Sequence, residues 1–248
     1  MKPRSMWRVL LALLVSLCCA GAWAEPLRVL FIGNSYTYYH DMPDLLARLS
    51  QGSATPIEAR TVTVGGASLE DHLNKGDAQR LLASGRWDWV VLQDHSLRPI
   101  DDADGLRRNV RQFGELIRAA GARPMLYVTW ARVGSPEKQS VINAAYADAA
   151  RDIGAKLAPV GQAWGIARRG YTALQLYDTD GSHPSSIGSY LAAYVFHRAL
   201  LGQAPAAAPP DLSEAQHKAL LDISAKAMQQ AGVPAQSRLR TPAAAPVH

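Results

Sequence analysis

Apolar residues in this chain fall into short unbroken runs, and the stretches between those runs carry helical spacing. Five segments read as strands bounded by turn residues: 27–32, 57–64, 87–93, 124–130 and 156–160. The runs "VLFI", "WVVL" and "MLYVTW" show little polar alternation, as expected of parallel strands covered on both faces. Between strands, Leu106, Val110, Phe113, Ile117 and Ala120 recur at three- and four-residue spacing, and Gly121 supplies a stop. Segments 43–49, 69–82, 141–153 and 187–201 read as helices in the same way, and 211–230 as a final amphipathic helix. Strands alternating with helices predict an α/β fold, a mostly parallel five-stranded sheet with helices on both faces. "GQAPAAAPP", 202–210, reads as a surface linker to the last helix.

The two ends depart from this pattern. Lys2, Arg4 and Arg8 precede a short apolar core, 9–20, and Ala22-Trp23-Ala24 fits a small-x-small cleavage site. The apolar stretch is well short of the ~20 residues that a membrane-spanning helix needs. Residues 1–24 are therefore expected to be a secretory signal peptide, with the mature chain periplasmic or extracellular and free of transmembrane segments. A lipoprotein signal fits less well, because Leu17 precedes Cys18 and Cys18 precedes Cys19, where a small residue is required. Residues 25–233 are expected to form one domain, and the Pro/Ala-rich segment 234–248 a disordered tail.

Cleavage changes the composition. The mature chain would have 248 − 24 = 224 residues and no cysteine, so its stability would rest on its core and not on disulfides. Lys plus Arg falls from 26 to 23 against 21 Asp plus Glu, leaving a net charge of +2. Without a basic block and interleaved aromatics, nucleic acid is not an expected partner.

Ligands of open parallel sheets bind beyond the carboxyl ends of the strands. Those ends deliver Gly33-Asn34-Ser35, Gly65-Gly66-Ala67-Ser68, Gln93-Asp94-His95-Ser96 and Trp130-Ala131-Arg132 to one rim, and "LYDTDGSHPSS" follows the fifth strand and a helical stretch. Ser35 suits a strand–helix turn, where its hydroxyl could simply satisfy backbone groups. It equally suits a nucleophile, which would need a base beside it. His183 is the best candidate base: Asp180, three residues earlier in a tight turn, can fix its tautomer, and Pro184 disfavours helix there. Asp178 competes for the acid role. Gly66, with Gly65 as fallback, and the strand-end Gln93 are candidate donors to an oxyanion.

The blocks "FIGNSYT", "TVGGASL", "VVLQDHS" and "DTDGSHPS" together resemble the ordered blocks of the SGNH/GDSL hydrolases, over roughly residues 27–201. The resemblance implies a flavodoxin-like three-layer α/β/α sandwich and a cofactor-free serine esterase. It assigns the nucleophile to Ser35, the acid and base to Asp180 and His183, and oxyanion stabilisation to the Ser35 and Gly66 backbone. Two departures stand out. Asn34 replaces the aspartate of the Gly-Asp-Ser motif, and block three lacks Gly-x-Asn-Asp, so a third oxyanion donor falls by inference to Gln93.

Two other readings remain. His40-Asp41, Asp71-His72 and Asp94-His95 suggest a metal site, but they lack ligand spacing and lie on separate segments, so no metal is expected. Tyr36, Tyr38, Tyr39, Trp130 and Trp164 could instead stack on sugar rings in an exported binding protein without chemistry. For an esterase, export and these aromatics point to an O-acylated carbohydrate, with Arg98 and Arg132 available to an acidic substituent.

Overall fold

The computed structural model describes residues 25–232; the expected signal peptide, 1–24, and tail, 234–248, lie outside the described residues. The chain runs β1 (Leu27–Gly33), α1 (Ser35–Tyr38), a 3-10 turn (Tyr39–Asp41), α2 (Met42–Leu49), β2 (Ile57–Thr63), α3 (Leu69–Lys75), α4 (Asp77–Ser84) and β3 (Trp89–Leu92). It continues through α5 (Arg98–Asp101), α6 (Ala103–Ala119), β4 (Arg123–Tyr127), α7 (Gln139–Ile153), β5 (Lys156–Ala158), α8 (Val160–Gly170), α9 (Ser186–Leu201) and α10 (Glu214–Gln230).

All five strands are parallel, in the order β2-β1-β3-β4-β5. Their period of two divides the core. Val29, Phe31, Trp89, Val91, Met125 and Tyr127 face a layer formed by α2, α8, α9 and α10. Leu30, Ile32, Val90, Leu92 and Leu126 face a layer formed by α3, α4, α6 and α7. The unbroken apolar runs are thus strands buried on both faces, and the result is a three-layer α/β/α sandwich. Helix α9 is buried from Gly188 to His197 on almost every side, which accounts for its apolar character all round.

Several boundaries differ from the sequence expectation, and three of them are informative. The segment 69–82 is two helices, because Gly76 takes φ 79° and its N–H closes on the His72 carbonyl, ending α3. Strand β3 starts at Trp89, not at 87. Strand β4 ends at Tyr127, not at 130, although Val128 still donates to the Ala158 carbonyl at 3.1 Å. Residues 128–130 are buried, so their largely apolar composition reports burial that continues past the end of the ladder.

Because the chain builds outward from β1 first to β2 and then to β3, the order reverses at β1/β3. That reversal opens a crevice at the carboxyl ends of these two strands, and Ser35 stands directly after β1.

Candidate active site

Asn34 caps the one-turn helix α1, its side-chain oxygen accepting from Tyr36 N at 3.1 Å, and thereby sets Ser35 at the first helical position. The Asn34 amide donates to the Ala67 carbonyl at 2.8 Å, which ties this turn to the loop carrying Gly66. Val64 N, at the start of that loop, donates to the Gly33 carbonyl at 3.2 Å. His72 Nε2 lies 2.8 Å from the same carbonyl, so the buried imidazole is protonated there and donates. Gly66 turns the loop with φ 71°. The backbone N–H groups of Ser35 and Gly66 donate to no group among the described residues.

On the far side of the chain, Tyr177 bridges to Pro184 and closes a loop around Asp180. One oxygen of Asp180 accepts from Ser182 N at 2.8 Å and His183 N at 2.9 Å, and the other meets His183 Nδ1 at 2.5 Å. The contact with the imidazole, aided by the backbone donors, holds the Asp180 carboxyl at about 2. The opposite ring nitrogen, Nε2, lies 2.8 Å from Ser35 Oγ. Asp178 does not reach the ring; its side chain accepts from Thr179 N.

The loop is braced from below. Tyr36 Oη meets Ser182 Oγ at 2.6 Å, and Trp130 Nε1 donates to the Ser182 carbonyl at 3.0 Å. Tyr36 stacks on Trp130 at 4.6 Å, and Trp130 on Trp164 at 4.0 Å, all three buried. The expectation that these three aromatics could receive a sugar is therefore overturned: their faces are used on one another. Only Tyr38 and Tyr39 of the five keep exposure.

Gln93 also stands elsewhere than expected. Its Oε1 accepts from Asn34 N and Thr37 Oγ1, both at 2.9 Å, and its amide nitrogen donates to the Asp94 carbonyl. Because a backbone N–H must meet an oxygen, the orientation of the amide is fixed. The side chain is wholly buried and spans the base of the Ser35 turn, with one of its two amide hydrogens taken by the Asp94 carbonyl, so its observed part is to support that turn.

The remaining candidates have structural partners. Asp94, buried, accepts from Leu69 N at 3.0 Å and His95 N at 2.7 Å; its burial pushes the carboxyl up. Asp71 completes a capping box with Ser68. Arg98 pairs with Glu70 at 3.0 Å and Asp102 at 2.9 Å, whereas Arg132 reaches Ser96 Oγ at 3.2 Å. Among the described residues, no three of His, Cys, Asp and Glu gather as metal ligands would.

The arrangement can take a proton from a hydroxyl and hold the resulting imidazolium against a carboxylate. A parallel three-layer sandwich with hydroxyl, imidazole and carboxylate in one line at its switch point is the arrangement of a hydrolase acting on ester bonds. No family model and no curated protein sequence matches the chain. Among solved structures it is similar to a candidate SGNH hydrolase from Slackia heliotrinireducens, with 36% identity, 71% of this chain and 99% of that chain covered, and TM-score 0.62. It shares its fold with a DUF4886 family protein from Bacteroides uniformis, at 22% identity, coverage of 82% and 95%, and TM-score 0.69. A variant of an acetyl-xylooligosaccharide esterase from Geobacillus stearothermophilus has the same fold at 15% identity, coverage of 71% and 94%, and TM-score 0.58. The chain belongs to the SGNH hydrolases.

Sequence reasoning missed the supports of the site: His72 on Gly33, Tyr36 and Trp130 on Ser182, and Tyr39 on His183.

Proposed function

We propose that the protein is an exported serine esterase that removes short acyl groups, with acetylated carbohydrate as its substrate class. The observation that carries the reading is the unbroken line from Ser35 Oγ through His183 to Asp180. Ser35 Oγ attacks the ester carbonyl carbon while its proton passes to His183 Nε2. The N–H groups of Ser35 and Gly66 stabilise the oxyanion, and Asp180 holds the imidazolium. The carbon–oxygen bond to the alcohol then breaks, and His183 returns the proton to the departing oxygen. Water repeats the sequence on the acyl-serine, giving the carboxylic acid and free Ser35.

Among the described residues, three of the four large apolar side chains left exposed, Tyr38, Val64 and Val133, lie in the helical turn that begins with Ser35, in the loop that carries Gly66 and beside Gly181, whose carbonyl accepts from Val133 N. They favour a substrate with apolar faces at this rim. The carbohydrate reading draws further support from the acetyl-xylooligosaccharide esterase that shares the fold, and export from the pattern of residues 1–24. A binding protein without chemistry is the weaker reading, because three of its five supposed platform aromatics are buried.

Purified protein should hydrolyse p-nitrophenyl acetate and release acetate from acetylated xylooligosaccharide. Ser35→Ala should lower kcat by about 10⁴-fold or more while folding normally. Equal turnover by both proteins would remove Ser35 from the mechanism. Activity on the nitrophenyl ester without acetate release from the sugar would retain the esterase and reject the substrate class.

A further inference from the structure

The two edges of the His183 ring are occupied, Nδ1 by Asp180 and Nε2 by Ser35. One face is occupied as well. Tyr39 lies flat on it, with ring centroids 4.3 Å apart and planes inclined by 13°. Tyr36 approaches edge-on, at 5.6 Å and 69°. A stacked pair this close at the rim needs something to hold the tyrosine, and the backbone supplies it.

Directly after Tyr39, His40 and Asp41 both adopt left-handed backbone, φ 51° in each. Side chains rarely tolerate this conformation, though histidine and aspartate tolerate it better than most. Neither Tyr38 nor Asp41, the residues that cap the 3-10 turn and α2, makes a side-chain capping bond, so capping does not explain the turn. Its effect is to fold the chain back from α1 into α2 and leave the Tyr39 ring over the imidazole. Ser189 Oγ, on the buried helix α9, fixes the same residue by donating to the Tyr39 carbonyl at 3.0 Å. Backbone strain beside a reacting group is the kind of outlier from which function can be inferred.

We propose that Tyr39 is a positioning residue whose ring face stabilises the imidazolium form of His183, and so the transition states of both halves of the reaction. The inference rests on the esterase reading above. As the base of the proposed reaction, His183 accepts the Ser35 proton and passes from a neutral ring to an imidazolium. A ring face with its negative quadrupole attracts a cation far more than a neutral ring. The contact therefore strengthens as the proton arrives, and an interaction stronger in the transition state than in the ground state is one that raises kcat. Asp180 acts on the imidazolium in the plane of the ring and Tyr39 acts perpendicular to it.

The ionisable groups around the imidazole are Asp180 and Asp178 from its own loop, Tyr36 from α1, and Tyr39 with His40 and Asp41 behind it. Asp180 is a carboxylate throughout the working range, since its partners hold it at about 2.

The test compares the full chain with Tyr39→Leu, Tyr39→Phe and Tyr39→Trp, by NMR titration of the His183 ring and by kcat/KM for p-nitrophenyl acetate against pH. Tyr39→Leu should titrate His183 at lower pH than the wild type and lower the plateau kcat/KM by about two- to thirtyfold. Tyr39→Phe should leave both where they are. Tyr39→Trp, which presents the strongest ring face, should titrate at or above the wild type, and decides the matter should the leucine variant not fold. A slower Tyr39→Leu enzyme with an unmoved titration would overturn the proposal, because it would make the ring a mere spacer. Equal losses in Tyr39→Phe and Tyr39→Leu would overturn it too, by transferring the effect to the hydroxyl. The titration needs no turnover, so a wild type inert towards esters would defeat the esterase reading and still leave Tyr39 decided.

Discussion

Asn34 occupies the place where the Gly-Asp-Ser motif has an aspartate, and its chemistry here is one that an aspartate cannot supply. Its amide nitrogen donates to the Ala67 carbonyl while its oxygen caps α1. Asn34→Asp keeps the cap and sets a carboxylate against that carbonyl, within a buried setting. The change should cost about 1–3 kcal/mol, read as a lower urea midpoint, and should reduce kcat/KM as the Gly66 loop loosens. Unchanged stability and activity would mean that the two loops are not coupled through this bond. At this scale the sequence was readable where partners are close along the chain. Asp180 and His183 are three residues apart, so their pairing could be inferred from a short turn. Gln93 could not be placed in that way, because its role is set by Asn34 and Thr37, 59 and 56 residues away.

The ends of β1 and β2 carry Ser35 and Gly66 to the crevice, and neighbouring elements hold them there. Helix α3 shows the pattern: Ser68 and Asp71 cap it, Asp94 grips its first N–H, and His72 on its inner face reaches the Gly33 carbonyl. Its length is set by Gly76, whose left-handed φ of 79° lets α3 end and α4 begin at once. Gly76→Ala should therefore destabilise the protein by about 1–2 kcal/mol, measured by chemical denaturation, with kcat unchanged because the residue lies at the far end of α3. A more stable variant would show that the break is not required. The helical period across 69–82 hid this break, since spacing records which face is buried and is indifferent to an interruption that preserves the face. Strand existence and direction were legible for the converse reason: runs such as "VLFI" can be buried on both faces only in a covered parallel sheet.

For the whole molecule, the order β2-β1-β3-β4-β5 determines where chemistry can occur, because it gathers Ser35, Gly66 and the His183 loop at one reversal point. Size is a poor guide to that place. A cavity of about 620 Å³ lies between α2, α9 and the linker after α9, and neither Ser35, His183 nor Asp180 lines it. The site is identified instead by Ser35, a residue 8% exposed, whose hydroxyl meets an imidazole held by an ionised carboxylate. That claim, an activated Ser35, is tested most directly with a fluorophosphonate, which bonds covalently to a serine only when a neighbouring base has made it nucleophilic. Peptide mass spectrometry of the folded protein should find the adduct on Ser35, and the adduct should vanish in His183→Ala and in the urea-unfolded chain. An adduct on another residue, or a Ser35 that labels equally well without His183, would contradict the account.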